Sequence, residues 1–342
     1  MRIPVVDAGG RPLMPCHPAK ARLFLKRGKA LPKRSKLGIF YIQLTYEVEP
    51  ANQILALGQD PGSKFEGTSV VGTKHTVLNI MSEAVTHVKK AVEQRRRMRR
   101  ARRYRKTRRR VTKPERLRGR NTLPPSTRAR WEAKLRIIRD LLRILPISHI
   151  VVEDVKAEMK KGSRRWNRSF SPVQVGKECF YRKLGELGFE PVLRQGHETK
   201  QLREAFGLKK NGDKRKKSFF SHCVDAWVLA ASVSGAEHPD HIGLYYLVPL
   251  RFHRRQLHRL EPEEGGIRRP YGGTRSLGLK RGTLVKHLRW GLCYVGGHLN
   301  GRLSLHDIKT GKRVTRTVKP EDCRVLTSVS WRSQYISGKE VV

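Results

Sequence analysis

Between Lys89 and Arg110, fourteen of twenty-two residues are Lys or Arg, and Glu93 is the only acid. A segment this charged has no apolar face to bury, and desolvating its cations in a core would cost more than packing returns. No Gly or Pro interrupts it before Pro114, and Arg, Lys, Gln and Met are good helix formers, so a long exposed helix is expected once phosphates relieve the repulsion. On either side lie short apolar stretches that run into carboxylates, Asp60 and Glu153. A polyanion-binding element therefore interrupts what reads as one catalytic domain.

The rest of the chain carries the same sign. Its 342 residues hold 74 Lys and Arg against 29 acids, a formal charge of +45, which repels itself unless a polyanion neutralises it. Nucleic acid is the expected partner. A membrane is the competitor, but there is no apolar run of about 18 residues, and Met1 to Arg11 lacks the apolar centre of a signal peptide. No membrane partner and a cytoplasmic location follow as expectations. Cys16, Cys179, Cys223, Cys293 and Cys323 are scattered, with no C-x-x-C pair to open a zinc site, and read as reduced and mostly structural. No G-x-x-x-x-G-K-[ST] phosphate loop occurs, which argues against ATP-driven chemistry.

Composition shifts divide the chain into six stretches. Residues 1–50 read as a small α/β unit, with strands at Ile3–Asp7 and Ile39–Tyr46, turn-forming punctuation at Pro12–Pro15, and a helix over Pro18–Lys26 that half-buries Leu23 and Leu25. Residues 51–84 hold three strand-like runs, Ile54–Leu57, Thr68–Val71 and Thr76–Met81, whose short connections predict an antiparallel meander presenting Asp60 at its first strand end. The basic helix is expected within 85–122. Residues 123–240 begin with a helix over Ser126–Leu145, striped by Trp131, Leu135, Ile138, Leu142 and Leu145. A strand at Ile147–Val152 ends at Glu153, followed by a helix over Val173–Leu187 and a short strand at Pro191–Arg194. A single helix over Ser218–Ser232 then sets His222 and Asp225 three residues apart on one face. Residues 241–273 are a second basic stretch and a linker, and 274–342 carry five short strands that predict a small barrel.

Phosphodiester hydrolysis at neutral pH needs an activated water and a stabilised leaving oxygen, which paired Mg²⁺ ions about 4 Å apart supply. Mg²⁺ prefers carboxylates delivered from several elements. Asp60, Glu153 and Asp225 fit that requirement, and His222, with an ordinary pKa near neutrality, is a candidate to orient or protonate. Each has a plainer alternative. Asp60 before Pro61-Gly62 is a favoured turn residue, Glu153 a surface acid at a strand exit, and His222 and Asp225 a solvated pair on a helix face. Only their joint occurrence points to a site.

The segments ILALGQDPGSKFEGTSVVG (54–72), IVVEDVK (150–156) and SHCVDAWVLA (221–230) resemble the three split motifs of RuvC-type nucleases, which have an RNase H-like α/β fold. The arginine run between the first two resembles a bridge helix, and PLMP followed by CHPAKAR (12–22) resembles the PLMP domain of the transposon-encoded IscB and IsrB family. The resemblance spans residue 1 to about 235 and is looser beyond. It implies an RNA-guided nuclease, a monomeric protein in a ribonucleoprotein with a long ωRNA, in which base pairing reads the target sequence. By the motif match, Asp60, Glu153, His222 and Asp225 are the catalytic residues, and Asp60, Glu153 and Asp225 hold Mg²⁺, for which Mn²⁺ can substitute.

One departure bears on subtype. IscB carries an HNH nuclease between the second and third motifs, but here 68 residues separate Glu153 from His222 and contain a single His, His197. The expectation is one nuclease centre, a nickase of the IsrB kind that cuts the displaced non-target strand of duplex DNA. RNA contacts are expected from Arg95, Arg96, Arg97, Arg99, Arg100, Arg102, Arg103, Arg105, Arg108 and Arg109, with Arg254 and Arg255 gripping an RNA stem. The C-terminal strands, with Trp290, Tyr294 and Lys312, would read a target-adjacent motif. Two alternatives stay open: a guide-independent, structure-specific nuclease of the resolvase kind, and a non-catalytic RNA-binding transposon accessory protein.

Overall fold

The computed structural model describes residues 1–105, 123–154, 172–250, 260–261, 266–267 and 275–338. The N-terminal strands β1 (Ile3–Val6), β2 (Pro12–Cys16), β3 (Ala30–Arg34) and β4 (Phe40–Leu44) form a sheet in the order β2-β1-β4-β3. Helix α1 (Pro18–Lys26) has the expected bounds, with Pro18 in its first turn and the His17 ring capping the Ala19 N–H. It packs through Ala21, Phe24 and Leu25, whereas Leu23 points outward at 42% exposure. Pro12–Pro15, expected as turn punctuation, instead lies within strand β2. It lies at the sheet edge, as does the Pro32-containing β3, and an edge tolerates the missing N–H of proline.

The central sheet starts with the predicted meander, β5 (Leu55–Asp60), β6 (Phe65–Gly72) and β7 (Thr76–Glu83), each antiparallel to the next. Helix α2 (His87–Tyr104) leaves the meander carrying the arginines, and the rest of the expected 85–122 helix lies outside the described residues beyond Arg105. Helix α3 (Pro125–Leu142) leads to β8 (His149–Asp154), which pairs parallel with β5, and α4 (Pro172–Gly185) to β9 (Val192–Gln195), parallel with β8. The order β7-β6-β5-β8-β9, numbered by appearance, is 3-2-1-4-5 with the second strand antiparallel: an RNase H-like core. After α5 (Gly196–Ala205), α6 (Phe219–His222) and α7 (Val224–Ser234), β10 (Leu244–Pro249) extends the sheet parallel to β7.

Two short ladders follow, β11 (Leu260–Glu261) with β12 (Gly266–Ile267) and β13 (Arg275–Ser276) with β14 (Leu279–Lys280). The five predicted C-terminal strands are β15 (Thr283–His287), β16 (Gly291–Leu299), β17 (Arg302–Asp307), β18 (Arg313–Val318) and β19 (Cys323–Ser328). They pair antiparallel in the order β18-β17-β16-β15-β19, and among the described residues no ladder joins β18 to β19, so hydrogen bonding leaves this barrel-like sheet open. A last strand, β20 (Trp331–Ile336), was not among the expected ones. It pairs antiparallel with β10 and completes the central sheet. Among the described residues no helix is long and apolar enough to cross a membrane.

Strand alternation sorts the core into two layers. Leu55, Leu57, Val70, Ile80, Ile150 and Val152 face α3 and α4, meeting Leu135, Ile138, Leu141 and Phe180. Ala56, Val71 and Met81 face α7, meeting Val224, Trp227 and Val228. The helix expected unbroken over 218–232 turns at Cys223 into α6 and α7, and each piece sits against a glycine of the sheet. A Cβ on Gly67 would lie 2.0 Å from the His222 carbonyl oxygen, and one on Gly58 1.9 Å from that of Ala226. Both neighbours are backbone atoms and cannot rotate away. Gly58→Ala is therefore expected to destabilise the protein by about 3 kcal/mol or more; a urea midpoint within error of the unaltered chain would contradict this packing.

Candidate active site

The register that sets Gln59 beside Val152 brings Asp60 and Glu153 to the neighbouring ends of two parallel strands. Counting by twos from Ala56 and Val151, both carboxylates lie on the face covered by α7. Asp154, one residue on, turns to the opposite face. There it accepts hydrogen bonds from Lys177 Nζ at 2.6 Å, Tyr181 OH at 2.9 Å and Gln195 Nε2 at 3.1 Å, which commit it to holding α4 and β9 on the sheet. Asp225 enters from above, in the first turn of α7, whose approach depends on Gly58 and Gly67.

Two cations hold the cluster. Arg203 Nη1 of α5 meets Asp225 Oδ1 at 2.6 Å, and Lys210 Nζ meets Asp225 Oδ2 and stands 3.9 Å from Asp60 Oδ2. Asp225 is nearly buried, and Asp60 is largely so. Glu153 and Asp60 act on each other's titration. Burial, then the charges of Asp60 and Asp225, push Glu153 up to about 8, and burial also raises Asp60 against the opposing pull of Glu153 and Lys210. At neutral pH Glu153 therefore keeps its proton in the metal-free protein, as expected where neighbouring like charges resist ionising together. Behind them, Lys134 of α3 meets Glu66 of β6 at 2.6 Å, both buried, and pins that helix to the strand neighbouring Asp60.

His222 packs beside Gly67, the cross-strand partner of Asp60. Its ring is buried 4.9 Å from the Phe65 ring, and Nε2 lies 3.2 Å from the Lys214 carbonyl oxygen. Burial lowers its pKa, so the imidazole is neutral at pH 7. Among the described residues it makes no hydrogen bond or ion pair with the three carboxylates. The turn at Cys223 separates it from Asp225, which the single-helix expectation had placed on the same face. Arg203 and Lys210 were not foreseen, because among 74 Lys and Arg no single cation stands out.

As they stand, no three His, Cys, Asp or Glu side chains among the described residues are drawn close enough to hold an ion. The donor chemistry nevertheless suits a hard divalent cation. Three carboxylates come from three elements, and a lysine ammonium supplies positive charge between two of them. The basic surface is separate. Arg95, Arg96, Arg97, Arg99, Arg100, Arg103 and Arg105 are exposed on α2 or at its end, with Arg97 paired to Glu93 at 2.7 Å. Arg102 belongs to the same helix, while Arg108, Arg109, Arg254 and Arg255 lie outside the described residues.

The proton held by Glu153 has a measurable consequence. Between pH 4.5, where an ordinary glutamate titrates, and about 8, folded Glu153 keeps a proton that the unfolded chain releases. The folded state binds more protons there, so the metal-free protein is expected to lose stability as pH rises through that window. Glu153→Gln cannot titrate, and its melting temperature should gain on the unaltered chain's as pH rises. A difference between the two that stays constant with pH would refute the raised titration of Glu153.

Residues 3–169 match a family model described as RRXRR protein. That pattern occurs twice in α2, as Arg96-Arg97-Met98-Arg99-Arg100 and, overlapping it, Arg99-Arg100-Ala101-Arg102-Arg103. No curated protein matches the chain. Among solved structures, it is similar to Thermus thermophilus RuvC in complex with Holliday junction substrate, at 16% identity, covering 52% of this chain and 90% of that one with a TM-score of 0.26. It is also similar to a second Thermus thermophilus RuvC structure, at 14% identity, covering 52% of this chain and 91% of that one with a TM-score of 0.25.

Proposed function

We propose that the protein is an RNA-guided DNA endonuclease of the IsrB kind, a nickase that cuts the displaced non-target strand beside a target-adjacent motif. The observation that carries the nuclease reading is the convergence of Asp60, Glu153 and Asp225, far apart in sequence, onto one face of the sheet around Lys210. Asp60, Glu153 and Asp225 would hold Mg²⁺, with Mn²⁺ as a substitute. When bound, the ions supply an activated water and a stabilised leaving oxygen. Arg203 keeps the Asp225 carboxylate oriented. Lys210 neutralises Asp60 and Asp225 in the protein alone and, being 37% exposed, has room to swing aside. His222, neutral and tied to the Lys214 backbone, positions the loop that carries Lys210.

Guidance by RNA is supported by the exposed arginines of α2, which project from the connection between Asp60 and Glu153. Phosphate contacts along such a helix make affinity fall steeply with salt. The one carboxylate cluster of this kind among the described residues and the short interval before α7 support one cut rather than two. The open C-terminal sheet is assigned the target-adjacent motif, with Trp290, Tyr294 and Lys312 as its contacts. The test is to express the chain with its flanking transposon-end DNA, sequence the bound RNA, and assay nicking of each strand of a matching duplex. A discrete long RNA and one nicked strand are expected. Cleavage of branched DNA without RNA would favour a guide-independent nuclease instead.

A further inference from the structure

On the α3 side of the central sheet, an open cleft of about 330 Å³ lies between α3, α4, the β3–β4 turn and the turn before β20. Five cations line it: Arg136, Arg139 and Arg143 at the end of α3, Lys183 of α4, and Lys36 of the β3–β4 turn. Two acids accompany them, and each is already engaged. Glu132 meets Arg128 at 2.6 Å, and Asp140, 5% exposed, meets Arg143 at 3.3 Å. Lys36 and Arg136 also act on the titration of Asp140, so they gather around the same carboxylate. Five cations against two acids leave the cleft three charges positive. Among the described residues, Lys36, Arg136, Arg139 and Lys183 form no ion pair.

On a convex surface such cations fan apart into water. Here Arg136, Arg139 and Arg143 share one helix face, and Lys36 and Lys183 line the same cleft from other elements, so their fields add inside it. The helix dipole accounts for Arg139 and Arg143 near the end of α3, but for neither lysine. A bound polyanion would relieve the repulsion that this arrangement stores. We propose that the cleft grips backbone phosphates of an RNA helix. The α3 layer covers the face of the sheet opposite Asp60, Glu153 and Asp225. A strand seated there is therefore not the strand being cut, which leaves the guide. The inference rests on the nucleic-acid partner proposed above and adds an anchor on the far side of the sheet from the carboxylates.

Lysine acetylation read by mass spectrometry tests it on the full chain in three states: freed of nucleic acid, with an RNA hairpin, and with the DNA hairpin of the same sequence. Lys36 and Lys183 are expected to lose reactivity at least about fivefold with the RNA hairpin and less with the DNA hairpin, because A-form and B-form helices present their phosphates across different grooves. Arg136→Gln combined with Arg139→Gln, both at exposed positions, should flatten the slope of log affinity for the RNA against log salt by about 1 to 2, since two phosphate contacts no longer release counterions. Protection by DNA as strong as by RNA would overturn the inference, and so would equal protection of every exposed lysine, the mark of charge alone. An unchanged salt slope in the folded double variant would do the same. Should that variant not fold, the acetylation pattern decides by itself. Lys89 and Lys90, exposed on α2, report the nucleic-acid partner separately. Their protection without that of Lys36 and Lys183 would sink the cleft and leave the partner standing, whereas no protection anywhere would remove the partner as well.

Discussion

Asp60→Asn is expected to lower nicking by at least about 10³-fold, because it removes a ligand on which activation of water and leaving oxygen both depend. It is also expected to raise the melting temperature of the metal-free protein. The Asp60 carboxylate is buried against Glu153 and Asp225, and burial disfavours its charged form. The asparagine keeps the shape and drops the charge. A gain in stability with a loss of activity is the signature of a site that stores repulsion for function. Nicking assays on a matching duplex and thermal melts without divalent ions read the two effects separately. Retained nicking would remove Asp60 from the catalytic site, and a lowered melting temperature would mean that Lys210 already compensates the cluster fully.

The fold was legible where one period dominates. Short apolar runs marked β5 to β8, strands whose two faces are both buried, and the stripe of Trp131, Leu135 and Ile138 marked α3, which buries one face on the sheet. The acids stood out only jointly: in so basic a chain, carboxylates at two apolar strand ends and on an apolar-sided helix point together to a site, although each alone has a plainer explanation. Non-local features were not legible. β20 pairs with β10 across more than eighty residues, and nothing within Trp331–Ile336 names that partner. The turn at Cys223 carries no Gly or Pro, and its cause lies in the sheet, at Gly58 and Gly67. Prolines hid β2 and β3, since a residue that breaks a central strand is harmless at an edge. Lys210 was hidden by abundance, and it acquires meaning only when Asp60 and Asp225 are seen on either side of it.

Lys210→Gln is expected to tighten Mn²⁺ binding by about tenfold or more, because an ion entering between Asp60 and Asp225 must first displace the ammonium that pairs with both. Burial works to lower the pKa of Lys210, but its bond to Asp225 and the charges of Asp60, Asp225 and Glu153 outweigh this and hold it above the ordinary lysine value. The competing charge is therefore present at every pH at which the nuclease would work. Without it, the carboxylates keep only Arg203, which bonds Asp225 and leaves Asp60 and Glu153 uncompensated. The variant should then melt below the unaltered protein when no divalent ion is present and recover on adding Mn²⁺. That is opposite in sign to Asp60→Asn, so the pair of variants separates a cation that guards the site from a carboxylate that builds it. Titration of free Mn²⁺ by electron paramagnetic resonance measures the affinity without any cleavage. Unchanged or weakened Mn²⁺ binding in Lys210→Gln would show that the lysine supports the ion site instead of competing for it.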